Sequence, residues 1–175
     1  QVLLSDYGPE LSAHVVQPGW AAIPIINLYA FHASTLWRLG DGATAHAFCA
    51  KAYQILSNIN HPYSRLLIDT VQSQIWIESG ELDRAETLMR TGVQQCMTHN
   101  VPTMLSVCTG VLGSALAHNG KAAEAAAMLE KRFADRIYEA AGPYGRTFMR
   151  VSLGVAYRKL GRLDDAIAVG RKAVE

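Results

Sequence analysis

Leu153-Gly154-Val155-Ala156-Tyr157-Arg158-Lys159-Leu160-Gly161-Arg162-Leu163-Asp164-Asp165-Ala166 decides the fold, because its spacing of small and large residues recurs three times upstream. Gly161 is preceded by Gly120, Gly80 and Gly40, at intervals of 41, 40 and 40 residues. Five residues after each glycine stands an alanine: Ala45, Ala85, Ala125 and Ala166. Four residues before each stands a large side chain: Leu36, Trp76, Leu116 and Tyr157. Seven before stands a small one: Ala33, Ser73, Gly113 and Gly154. Matched columns in four copies identify an internal repeat, and its period sets the fold class.

The columns have a physical basis. A glycine just past a helix takes the left-handed conformation without a Cβ penalty, so each one closes a first helix and turns the chain into a second. Asp41 and Glu81 follow directly and suit the positive N-terminal end of that second helix; Lys121 and Arg162 depart from this rule. The small residue seven back and the alanine five on allow two antiparallel helices to approach closely, and the large residue fills the space beside them. The pattern predicts helix pairs at 22–39 and 42–57, 63–79 and 82–98, 102–119 and 121–139, and 144–160 and 162–174. Pro24, Pro62, Pro102 and Pro143 mark the starts of the first helices. The expected organisation is four hairpin repeats at 19–60, 61–100, 101–141 and 142–175. Residues 1–18 read as the remnant of a preceding repeat or a cap. The chain has no initiator Met and stops inside an apparent helix, so it reads as part of something longer.

Half of the residues are hydrophobic, which excludes general disorder. Net charge is +1, too small for a global field toward nucleic acid or membrane. The balance is uneven: residues 1–130 carry −4 and residues 131–175 carry +5. Val101 to Ala117 has no charge but includes Pro102, Thr103, Ser106, Thr109 and Ser114. It reads as a helix packed on both sides by neighbours, not as a membrane span. Cys49, Cys96 and Cys108 form no Cys-x-x-Cys pair and read as small, reduced core residues of a cytoplasmic protein.

Leu153-Gly154, Tyr157, Gly161 and Ala166 fall at the spacings of a tetratricopeptide repeat, which the chain resembles over roughly residues 26–175. Leu112-Gly113, Leu116, Gly120 and Ala125 form a partial match; His32 and Gln72 stand where leucine is usual. The resemblance implies an all-α, right-handed superhelix (solenoid) of antiparallel helix pairs, although a period near 40 exceeds the common 34. Tyr7-Gly8, Leu36-Trp37-Arg38-Leu39-Gly40, His61-Pro62-Tyr63-Ser64 and Gly80-Glu81-Leu82 with Ala85-Glu86 also resemble the C-terminal arrays of bacterial class III nucleotide cyclases. Similar arrays lie in LuxR-type large ATP-binding regulators. That likeness implies a regulatory or scaffolding role in a larger bacterial signalling protein. The family's clamp for chaperone tails is missing, since Ala30, Phe31, Ser34, Thr70, Val71 and Gln74 stand at its positions.

Catalytic patterns are not found. The histidines at 14, 32, 46, 61, 99 and 118 include no pair at metal-helix spacing. Gly120-Lys121 lacks the rest of a phosphate loop, and no Gly-x-Ser-x-Gly elbow occurs. The reading is a non-catalytic protein–protein interaction module with no cofactor. Its partner is expected to be a protein or peptide, including upstream domains of the same polypeptide; nucleic acid and membrane are not expected. A sensor binding a small effector in the groove, and a homo-oligomeric scaffold, are the alternatives. First helices line the groove of such arrays, which singles out Asn27, Ser34, Trp37, Arg38, Gln74, His118, Arg158 and Lys159 as partner-binding candidates. Arg146, Arg150, Arg158, Lys159, Arg162, Arg171 and Lys172 make the last repeat basic.

Overall fold

A computed structural model describes residues 22–135 and 142–174. Eight helices follow one another there: α1 (Pro24–Arg38), α2 (Gly42–Leu56), α3 (Pro62–Ser79), α4 (Leu82–Thr98), α5 (Pro102–His118), α6 (Ala122–Ala134), α7 (Gly142–Lys159) and α8 (Leu163–Val174). All regular structure among the described residues is helical, an all-α helical-repeat array. Residues 1–18 lie outside the described part. Helix α6 stops at Ala134, short of the expected 139, where Asp135 turns extended.

The four elbow glycines are equivalent. Gly40, Gly80, Gly120 and Gly161 all have positive φ, between +75° and +86°. Nothing lies within 4 Å of a Cβ built on any of them, so backbone conformation and not space requires glycine. In each elbow the amide after the glycine donates across the turn to the large residue's carbonyl: Asp41 to Leu36, Glu81 to Trp76, Lys121 to Leu116 and Arg162 to Tyr157, at 2.8–2.9 Å. That bond closes the first helix. The same residue's carbonyl then accepts from the repeat alanine, opening the second helix. One residue thus serves two helices. Asn100 ends α4 in the same way, with φ of 51° and a Val101-to-Cys96 bond of 2.9 Å.

The chain divides into two compact units, one ending at Val71 and the other beginning at Gln72, and α3 runs through the division. In the first unit α1 packs on α2. Ala30 and Ala33 of α1 and Ala45, Cys49 and Ala52 of α2 are fully buried, and Phe48 meets Tyr29 and His32 at centroid distances of 5.5 and 4.8 Å. His32 is therefore a packed ring. The Tyr53 hydroxyl donates to buried Asp69 at 2.8 Å, and Arg65 reaches the same carboxylate at 3.1 Å. Burial raises the Asp69 carboxyl above its ordinary pKa, while Arg65 and Tyr53 pull it down.

In the second unit α5 packs on α4, α6 and α7, and α7 packs on α6 and α8. This is why the charge-free stretch has no polar face: α5 buries residues on every side, from Met104 through Gly113 without a break. No helix among the described residues is long and apolar enough to cross a membrane. The small column does its expected work at Gly113, where a Cβ would sit 2.7 Å from Leu129 of α6. Gly110 gives a second close approach, 3.1 Å from the α7 backbone at Phe148 and Met149.

Candidate protein-interaction surface

All eight candidate residues lie on first helices. Counted back from the elbow glycine, Arg38, His118 and Lys159 stand two residues before, Ser34 and Gln74 six before, and Asn27 thirteen before. Those positions differ by four and seven residues, so they form one stripe along each helix. Trp37 and Arg158, three before, sit on its flank. Arg38, Arg158 and Lys159 are exposed, and the other five are half-buried. Asn27, Ser34, Trp37 and Arg38 belong to the first unit; Gln74, His118, Arg158 and Lys159 belong to the second.

Several of these side chains are held in place locally. The Trp37 ring lies edge-on to His46, 5.9 Å between centroids, and covers Gly42 at 3.1 Å from a built Cβ. It is anchored to its own hairpin. His118 Nδ1 is 2.8 Å from the Ser114 carbonyl, which only accepts, so that nitrogen carries a proton. Arg158 and Lys159 end α7 and make no ion pair among the described residues.

Two other basic residues of the last hairpin, Arg162 and Arg150, are engaged internally. Arg162 donates to Asp165 at 2.7 Å and to Glu130 at 3.1 Å, and its guanidinium stacks 4.1 Å from the Tyr157 ring. Tyr157 also donates to Glu130, at 2.8 Å. Arg150 donates to the Lys172 carbonyl. These contacts are intramolecular tethers.

The two elbows that break the acidic rule turn out to be cross-hairpin staples. Lys121 reaches back to both oxygens of Glu86 on α4, at 2.8 and 2.9 Å, just as Arg162 reaches Glu130 on α6. Asn119 donates to Glu86 and to Asp83, and Arg90 bridges Glu86 to Glu124. Burial would raise the Glu86 carboxyl, but the hydrogen bonds from Lys121, Asn119 and Arg90 outweigh it and hold its pKa at about 2. Sequence reasoning missed this cluster. The signal was the basic residue at an elbow position where an acid is expected.

A second missed feature is an open groove of about 430 Å³ lined by Trp76, Asp83, Arg84, Thr87, Leu88 and Thr91. Arg84 stacks 4.3 Å from the Trp76 ring and pairs with Glu81. Small-molecule sites bury most of their ligand, so an open groove of this kind suits a single side chain of a partner better than an enclosed effector.

For chemistry, no group of three or more His, Cys, Asp or Glu side chains among the described residues could hold a metal ion. Burial pushes the Cys49 thiol up to about 11, which keeps it protonated and unreactive.

Residues 106–131, from α5 through its elbow into α6, match the family model described as Tetratricopeptide repeat. No curated protein and no solved structure matches the chain. The matched span holds the Leu112-Gly113, Leu116, Gly120 and Ala125 columns from which the repeat was read.

Proposed function

We propose that this tetratricopeptide-like array is a non-catalytic protein-interaction module that binds an acidic partner segment along the first-helix stripe of its second unit. Tetratricopeptide repeats mediate protein–protein interactions, and the repeat fold supplies the general role. The observation that carries the acidic preference is Arg158 and Lys159. In a hairpin whose Arg150 and Arg162 are tied internally, these two adjacent cations stand exposed without an ion pair among the described residues. Lys159 lies at the same register as His118, and Gln74 lies one helical turn away on the same stripe. An acidic segment crossing these helices would meet cations and hydrogen-bond donors in turn. The segment belongs to a separate protein or to upstream domains of the same polypeptide. The regulatory setting in a larger bacterial signalling protein rests on the sequence resemblance alone.

Fluorescence anisotropy with a labelled Asp/Glu-rich peptide, against a neutral peptide of the same length, tests this reading. Binding should favour the acidic peptide and weaken as salt rises. Reversing Arg158 and Lys159 to Glu should weaken it by roughly tenfold and remove most of the salt dependence. Equal binding of both peptides, or an unchanged affinity after reversal, overturns it.

A further inference from the structure

The junction between the second and third hairpins carries a thiol pair that the repeat does not need for packing. Sixteen residues after the elbow glycine, Leu56 of the first hairpin gives way to Cys96 in the second. Twelve before the elbow, successive first helices carry Leu28, Ile68, Cys108 and Met149. Leu56, Ile68 and Met149 are buried, so these two columns hold large apolar side chains in the core. Both columns turn to cysteine at one and the same junction. Two thiols fill less space than two branched aliphatics, so packing alone does not call for the exchange. The fold brings the pair together: the Cys96 thiol on α4 lies 3.7 Å from the Cys108 sulfur on α5, across two helices that pack on each other.

Sulfurs at that separation need a shift of less than ~2 Å to reach bonding distance. The last turn of α4 supplies both the shift and the access. Cys96 stands three residues before the C-cap His99, and Met97, Thr98, His99 and Asn100 are all exposed. Helix ends fray, and fraying of this turn takes Cys96 from burial to solvent while Cys108 stays packed within α5. The third cysteine is placed differently. Cys49 is fully buried on α2 in the other unit, and burial keeps its thiol protonated.

We propose that Cys96 and Cys108 form a disulfide when the chain meets a two-electron oxidant such as hydrogen peroxide, and that the bond locks the second hairpin to the third. The Cys96 sulfur, exposed by fraying, attacks one peroxide oxygen. The O–O bond breaks, and the released hydroxide takes up the thiol proton and leaves as water. When α4 recloses, the Cys108 sulfur attacks the sulfur of the Cys96 sulfenic acid, the S–O bond breaks, and a second water leaves with the Cys108 proton. Two thiols lose two electrons, and one peroxide is reduced to two waters. The cysteines are 12 residues apart, so the bond closes a short loop around the turn from α4 to α5 and removes the opening that admitted the oxidant. Oxidation converts a junction that opens into one that stays shut.

Peroxide treatment of the folded 175-residue chain, followed by alkylation in denaturant, tryptic digestion and mass spectrometry, is the test. Residues 91–120 contain no Lys or Arg, so the tryptic peptide 91–121 carries both cysteines. It should be recovered unalkylated and lighter by two hydrogens, while Cys49 remains alkylated. Dithiothreitol should reverse the change. The oxidised protein should melt roughly 5 °C above the reduced one. Cys49→Ala should leave the crosslink intact. In Cys108→Ala the sulfenic acid has no partner, so dimedone should label Cys96. Recovery of both cysteines in alkylated form overturns the proposal, as does a bond to Cys49 in native buffer or a crosslink that forms only once urea has unfolded the chain. An oxidised protein that melts no higher than the reduced one overturns the lock.

Discussion

Glu86 is the residue whose surroundings most constrain its charge. It is buried yet accepts hydrogen bonds from Lys121, Asn119 and Arg90, so its ionised form is better solvated by the protein than burial alone would allow. Its folded pKa of about 2 lies below the ordinary 4.5. A depressed carboxylate contributes stability above its unfolded pKa and loses it as pH falls toward the folded one. The contribution is therefore full above pH 4.5 and fades between 4.5 and about 2. With Lys121 and Arg90 half in solvent, we expect about 1–2 kcal/mol, well under a buried pair's worth. Urea midpoints measured against pH should fall through this window in the wild type. Glu86→Gln should lower the midpoint at neutral pH and flatten that fall; an unchanged acid limb would mean that the carboxylate is not held as described. Asp69 has the opposite sign. Burial raises its pKa, so its contribution is greatest below the ordinary carboxylate range and is lost as pH rises through the raised value.

At the scale of elements, the elbow is set by conformation and the helix–helix seam by space, and different substitutions separate the two. Gly80→Ala puts a Cβ at φ +86° with nothing in its way, so its cost is backbone strain of roughly 1–2 kcal/mol. Gly80→Asn should cost less, because Asn100 already holds a left-handed helix end in this chain. Gly110→Ala sits at ordinary helical φ but meets the α7 backbone at Phe148 and Met149, which cannot rotate away. Overpacking of that kind costs about 1–3 kcal/mol, more than the ~0.5–1 kcal/mol of helix propensity that alanine gains. Thermal or denaturant melts should show Gly80→Asn less destabilised than Gly80→Ala, and Gly110→Ala destabilised on balance; a stabilised Gly110→Ala would mean that the α7 backbone is not held in close contact with α5. Elbows were legible in the sequence because their rule is local: a glycine, the carbonyl four residues back and the alanine five on lie within ten residues. The staples were not. Lys121 and Glu86 are 35 residues apart, and Arg162 and Glu130 are 32 apart, and no local rule pairs them. What showed was only that a basic residue stood where the helix dipole favours an acid. The early end of α6 was illegible for a related reason, since Lys131 and Arg132 carry on a good helical pattern.

For the whole molecule, burial is graded along the second unit, and local stability should follow it. Helix α5 has 13 buried residues and packs on α4, α6 and α7, whereas α8 has no buried residue and packs chiefly on α7. Repeat arrays gain stability from nearest-neighbour interfaces, so the helix that buries least against its neighbours opens most readily. The candidate surface was legible only as a register on the first helices. Whether a given residue there is free depends on partners far along the chain, which hold Arg150 and leave Arg158 and Lys159 without an ion pair among the described residues. Native-state hydrogen exchange by mass spectrometry should find the slowest amides in α5 and the fastest helical amides of the second unit in α8. Equal protection of α5 and α8 would contradict the gradient itself, because a helix without a buried side chain has little beyond its own hydrogen bonds and its packing on α7 to keep it closed.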